Sequence, residues 1–266
     1  MPTMRSNLLI SAVVVLLVVE SATIVVLIDN QSKFNDLILS AAEYRSRLIA
    51  LHSSDTVYFR LFYVNVGGRT LAVPVTVSGA DYMELRDRVR QNFTGGYEQI
   101  DYKQFVTPND PTISDIKMRL RAAFPADLDY AEAVLDIVHQ IYYYSPSGGN
   151  WYMKYPTETL VEGSGLCAHL SVLAASLLKS AGIDTILIVY ENPEAGQSGH
   201  MNIGIVLSAE PYPGASYVES SGKRYYVAET TNSLFSEQYG FTWEGTWRVG
   251  QQPNFLSGWS TVAIQA

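Results

Sequence analysis

The chain has 266 residues, 47% of them apolar, which is enough to bury one large core or two modest ones. Eighteen basic against 26 acidic residues give a formal net charge of −8 without a basic cluster, so nucleic acid is not an expected partner. One cysteine, Cys167, excludes a disulfide and a cysteine metal cage, and no cofactor is expected.

Leu8 to Ile28 is an apolar run broken only by Ser11, Glu20, Ser21 and Thr23. At ~1.5 Å per residue its length suits ~30 Å of hydrocarbon. Arg5 precedes it, whereas Asp29, Lys33 and Asp36 follow. That asymmetry predicts a single-pass membrane anchor through residues 8–28, with a cytoplasmic N-terminus and the C-terminal domain outside. A cleaved signal peptide is the alternative; the run is longer than most h-regions, and no small-x-small site ends it.

Ser32 to Leu51 carries Phe34, Leu37, Ile38, Ala41, Tyr44 and Leu48 at helical spacing, predicting a stalk. Val57 to Val66 and Arg69 to Val77 flank Gly67-Gly68, a hairpin signal, and Pro74 makes the second an edge strand. Ala80 to Phe93 reads as a charged surface helix. Tyr102 to Pro111 is an extended connector with two prolines, followed by a short amphipathic helix marked by Ile113, Ile116, Leu120, Ala123 and Phe124.

Asp129, with Glu132 three positions on, has capping-box spacing ahead of an apolar stripe of Ala131, Val134, Leu135, Val138, Ile141 and Tyr142. His139 beside that stripe reads as a structural or surface histidine. Ser145 to Asn150 is a loop, Pro156 to Glu162 one or two helical turns, and Gly163 to Gly165 a sharp turn. From Cys167, the spacing of Leu170, Leu173, Ala174, Leu177, Leu178 and Ala181 predicts a buried helix ended by Gly182. Strands follow at Thr185 to Tyr190, His200 to Leu207 and Lys223 to Glu229, with a loop from Glu191 to Gly199.

A lone thiol at a helix start is either a small core residue or a nucleophile. The helix N-terminus favours the thiolate, which is the reactive form. A nucleophile needs a base and a group that orients it. Among His52, His139, His169 and His200, His169 lies two residues after Cys167 and points away from it around the helix. Metal binding through Cys167 and His169 fails on ligand count. His200 opens a strand; if Leu207 and Gly222 face each other across the following loop, His200 stands opposite Glu229. Glu229 is then the orienting carboxylate or an edge-strand charge.

Three segments carry a family resemblance: Pro156 to Cys167, His200-Met201-Asn202-Ile203-Gly204-Ile205, and Tyr225-Tyr226-Val227-Ala228-Glu229-Thr230-Thr231. In order, spacing and flanking apolar strands they resemble the transglutaminase-like superfamily, and most closely its membrane-anchored prokaryotic branch with a Glu-Thr-Thr acidic motif. The likeness extends over roughly residues 57–250, taking in Phe105-Val106-Thr107-Pro108-Asn109-Asp110 and Trp247-Arg248-Val249-Gly250.

The resemblance implies an α+β fold with a papain/transglutaminase-like core, a cysteine helix packed on an antiparallel sheet. It divides the chain into an anchor (1–29), a stalk helix, hairpin and connector (30–111) and a transglutaminase-like domain (112–266). It implies Cys167 as nucleophile, His200 as general base and acid, Glu229 as the orienting carboxylate, and a protein or peptide substrate. The family's usual Gly-Asp-Cys-Glu-Asp is here Gly165-Leu166-Cys167-Ala168-His169. Fewer carboxylates favour a thiolate, yet those acids can also position the turn or a substrate amine. Two functions follow: a thiol acyl-transfer enzyme, or a degenerate ectodomain that binds peptide or cell-envelope partners.

Overall fold

The computed structural model describes residues 55–88, 90, 100–144, 152–191, 199–231, 235–236, 240–241 and 247–266. The expected span at 8–28, the stalk at 32–51, the loop at 145–150 and most of the loop at 191–199 lie outside the described residues. Among the described residues, no helix is long and apolar enough to cross a membrane.

β1 (Val57–Val66) and β2 (Arg69–Ser78) form the expected hairpin, with Gly67 and Gly68 at φ 58° and 77° as its tight turn requires. Pro74 is tolerated because this sheet has two strands and therefore only edges. One face buries Phe62, Val64, Val73, Val75 and Val77. Helix α1 (Gly79–Arg86) is capped by the Ser78 hydroxyl and buries Tyr82 and Leu85, so it is more than a surface helix. The expected connector is partly regular: Tyr102–Phe105 is a 3₁₀ turn, and Pro111 opens α2 (Pro111–Ala123), capped by Asp110.

Helix α3 (Asp127–Val138) starts earlier than its expected Asp129 cap, after Ala126, with no side-chain cap. Glu132 is therefore released from the start of the helix. It accepts from the Val249 N–H at 3.0 Å and pairs with Arg248 at 3.0 Å. On the same helix Asp136 accepts from Asn65 N–H at 2.7 Å, and Gln140 just beyond exchanges two hydrogen bonds with the Tyr63 backbone. These side chains tie the hairpin and the C-terminal segment to α3. Short strands β3 (Tyr142–Tyr143) and β4 (Ser164–Gly165) run parallel, one on each side of α4 (Pro156–Glu162) in sequence, and β9 (Phe235–Ser236) and β10 (Gly240–Phe241) extend the same small sheet beyond β3.

The main sheet is antiparallel, in the order β11 (Ser260–Gln265), β5 (Thr185–Glu191), β6 (His200–Ile205), β8 (Lys223–Ala228), β7 (Tyr217–Ser220). The outer strands β7 and β11 have no counterpart in the sequence reading. Helix α5 (Cys167–Ser180) packs on β5 and β6. Leu187, Val189, Met201, Ile203 and Ile205 share one core cluster with Leu170, Leu173 and Leu177. The alternate residues Ile186, Ile188, Tyr190, Tyr225 and Val227 enter a second cluster, closed by Leu256. Gly204 is fixed by packing there, since a Cβ would stand 2.8 Å from Tyr225 Cβ and 2.9 Å from Ile186 Cγ1.

Candidate active site

Cys167 is the first residue of α5, after Leu166 in extended conformation. Its backbone N–H is among those at a helix start that no intrahelical carbonyl can reach. The preceding turn is held on several sides. Gly163 ends α4 at φ 62°, where a Cβ would collide with the Arg60 guanidinium. Tyr142 N–H and Tyr144 N–H donate to the carbonyls of Gly163 (3.0 Å) and Gly165 (3.2 Å). Lys154 donates to the Ser164 carbonyl at 3.1 Å and pairs with Glu162 at 2.6 Å.

His169 completes the turn. The structure shows two partners of its ring nitrogens. Its Nδ1 accepts the Leu166 N–H at 3.1 Å, the helical half of a capping box that a carboxylate usually supplies. Its Nε2–H donates to the Tyr152 carbonyl at 2.9 Å. Burial, and next the Lys154 charge, hold its pKa well below the ordinary value for histidine, so it caps the turn as a neutral imidazole. His169 thus occupies structurally one of the positions where the chain departs from the family's acidic pattern.

The structure brings Cys167, His200 and Glu229 together. His200 Nε2 lies 2.9 Å from Glu229 Oε2, and the Cys167 side chain is close enough to the imidazole to help raise its pKa. A carboxylate can only accept, so Nε2 carries a proton and Nδ1 is the ring nitrogen left for sulfur. All three are buried, Cys167 at 3% exposure, His200 at 7% and Glu229 at 1%. Burial pulls the His200 pKa down. The Glu229 charge, the Cys167 side chain and the hydrogen bond to Glu229 outweigh it and push the imidazole up to about 10. Burial likewise raises the Glu229 carboxyl, but His200 and two hydrogen bonds from Thr231 hold it down at about 2. Those bonds, from Thr231 N–H at 2.8 Å and its hydroxyl at 2.6 Å, both reach Oε1 and leave Oε2 for His200.

The expected register needs correction. The β6–β8 ladder pairs Ile203 with Ala228, two residues from the register that set His200 opposite Glu229. A shift of two keeps both side chains on the same face, so Glu229 lies diagonal to His200 and its extra methylene spans the difference. Of the two expected readings of His139 the structural one holds: it is fully buried, and its Nε2–H donates to the Glu229 backbone carbonyl at 2.9 Å. Burial pushes its pKa down to about 4, against the Glu229 hydrogen bond and charge, so it is neutral. Periodicity placed His139 beside the stripe, and nothing local to it pointed to a residue 90 positions away.

Residues 115–228 match the family model of the transglutaminase-like superfamily. Cys167 and His200 fall within the match, and Glu229 is the next residue beyond it. No curated protein and no solved structure matches the chain. With its mixed helices and antiparallel sheet, and with the cysteine heading the helix that packs on that sheet, the segment 115–228 is similar to the transglutaminase-like superfamily in sequence.

Proposed function

We propose that this protein is a thiol enzyme acting on amide or peptide bonds through a thioester, held at the outer face of a membrane by residues 8–28. The observation that carries the reading is the buried 2.9 Å pair of His200 and Glu229 together with Cys167 buried at the start of α5. The superfamily match points to thiol-dependent amide chemistry. The apolar run at 8–28 and the charges on either side of it support the anchor.

In this reading the Cys167 thiol gives its proton to His200 Nδ1, which produces the thiolate that reacts. The thiolate attacks the carbonyl carbon, and negative charge moves to the carbonyl oxygen, for which the Cys167 N–H at the helix start is a main-chain donor. His200 passes its Nδ1 proton to the leaving amine as the C–N bond breaks and the thioester forms. The acceptor then gives a proton back to His200 and attacks the thioester, expelling the thiolate. Water as acceptor gives hydrolysis or deamidation, and a lysine amine gives an isopeptide cross-link. Glu229 keeps its charge throughout and holds the imidazole in one orientation.

A second reading, a non-catalytic ectodomain that binds peptide or envelope partners, draws on the 3% exposure of Cys167. Alkylation by iodoacetamide separates the two. The full chain alkylates at Cys167 at about pH 6 roughly tenfold faster than His200→Ala. Equal rates, or a thiol that never reacts, overturn the enzyme reading in favour of the binding one. With a glutamine-containing peptide and a lysine-like amine, mass spectrometry then reads deamidation, amine adduct or cleavage.

A further inference from the structure

We infer that His139 is a positioning residue for the reacting group, holding the main chain of Glu229 so that its carboxylate meets His200; this rests on the reading of Cys167, His200 and Glu229 above. Glu229 stands one residue beyond the end of β8, whose last ladder pair is Ile203 with Ala228. Past that point the ladder no longer sets the peptide plane. Thr231 fixes Oε1 relative to the following backbone, but rotation of the Glu229 peptide would still swing Oε2 away from His200. The His139 Nε2–H, 2.9 Å from that carbonyl, opposes the rotation.

The residue type is informative. A carbonyl only accepts, so His139 carries its proton on Nε2 and leaves Nδ1 as a buried acceptor with no partner among the described residues. A leucine or phenylalanine would fill the same volume without an unmet acceptor. The gain that offsets this cost is the bond to Glu229. His139 is also mounted on a fixed support. It caps the C-terminus of α3, the helix tied to the hairpin by Asp136 and to the C-terminal segment by Glu132. The charged groups acting on its imidazole are Glu229 from the sheet and Arg248 from the C-terminal segment, of opposite effect.

The test uses the full chain in mild detergent with His139→Phe and His139→Gln, each checked for folding by circular dichroism. In folded His139→Phe the His200 titration midpoint, read from its Cε1–H resonance, falls by about one pH unit, and alkylation at about pH 6 slows about tenfold. His139→Gln, whose amide N–H reaches the same carbonyl, returns alkylation to within about threefold of wild type. An unchanged His200 midpoint in folded His139→Phe overturns the inference. Should that variant not fold, ¹⁵N shifts of His139 in the wild type decide. A proton on Nε2 supports the inference, and one on Nδ1 overturns it. The enzyme reading fails separately, when His200→Ala leaves the alkylation profile unchanged, and the His200 titration still reads the contribution of His139.

Discussion

On the sheet side of Cys167 the imidazole of His200 faces a carboxylate, and on the turn side the imidazole of His169 faces a backbone carbonyl and a backbone N–H. Burial is nearly the same for both, at 7% and 1% exposure, and on its own it drives both towards the neutral form. Glu229 reverses that for His200, which rises to about 10, whereas Lys154 reinforces it for His169, which falls. The partner, not the burial, decides which imidazole is charged. Positive charge is thus placed beside the sulfur and withheld from the turn, where a neutral ring can donate and accept at once.

Removing the partner on the sheet side has the largest expected effect. Glu229→Gln keeps the shape but loses the charge that holds His200 protonated, and its amide can donate where only an acceptor fits. Turnover should fall about 10²–10⁴-fold; unchanged turnover would refute the orienting role. Stability should change with pH as well. The Glu229 contribution is complete above the ordinary carboxyl value of 4.5 and is lost as pH falls through about 2. The His200 contribution is complete below its ordinary 6.5 and is lost as pH rises through about 10. Urea denaturation across pH should therefore show greatest support from this pair between those ordinary values, and a flatter profile in Glu229→Gln.

On the turn side the next largest effect belongs to Lys154, whose ammonium is buried against Glu162 at 2.6 Å. Lys154→Met leaves the Glu162 carboxylate with the hydroxyls of Tyr82 (3.0 Å) and Tyr152 (3.4 Å) as its remaining partners. A half-broken buried pair of this kind costs about 3–5 kcal/mol, to be read by urea denaturation. The same variant sharpens the comparison, because losing the nearby cation lets the His169 titration midpoint rise. If that midpoint stays put, burial alone sets the charge state of His169, and the contrast between the two sides rests on Glu229.

The sheet side was legible in the sequence and the turn side was not. Cys167 at a helix start, His200 at a strand start and Glu229 at a strand end each announce themselves through apolar periodicity that changes from 3.6 to 2. Parity protected the inference: the register was misplaced by two residues, and an even error preserves the sheet face. The edge strand β11 was missed because Ser260–Gln265 lies at the exposed rim, where alternation is weak. Arg90, buried against Glu158 at 2.6 Å, and Lys154 look in sequence like ordinary surface charges. Their pairing depends on contacts between distant segments, as does the bond between His139 and Glu229. Local pattern carries backbone geometry, and long-range polar pairing leaves no periodic trace.

The smallest expected effect belongs to His169, where a substitution can put a carboxylate at a position that is aspartate in the family pattern. His169→Glu supplies a carboxylate to accept the Leu166 N–H, and an anion is a good cap at a helix start. It also deletes the donor to the Tyr152 carbonyl and sets a negative charge two residues from Cys167. His169→Gln keeps one acceptor and one donor and adds no charge. Alkylation of Cys167 at about pH 6 should therefore slow about three- to tenfold in His169→Glu and by less than about twofold in His169→Gln. High salt should narrow the gap only partly, because buried charges are poorly screened. Equal slowing in both variants would mean that the geometry of the turn, rather than its neutrality, is what His169 supplies to the cysteine.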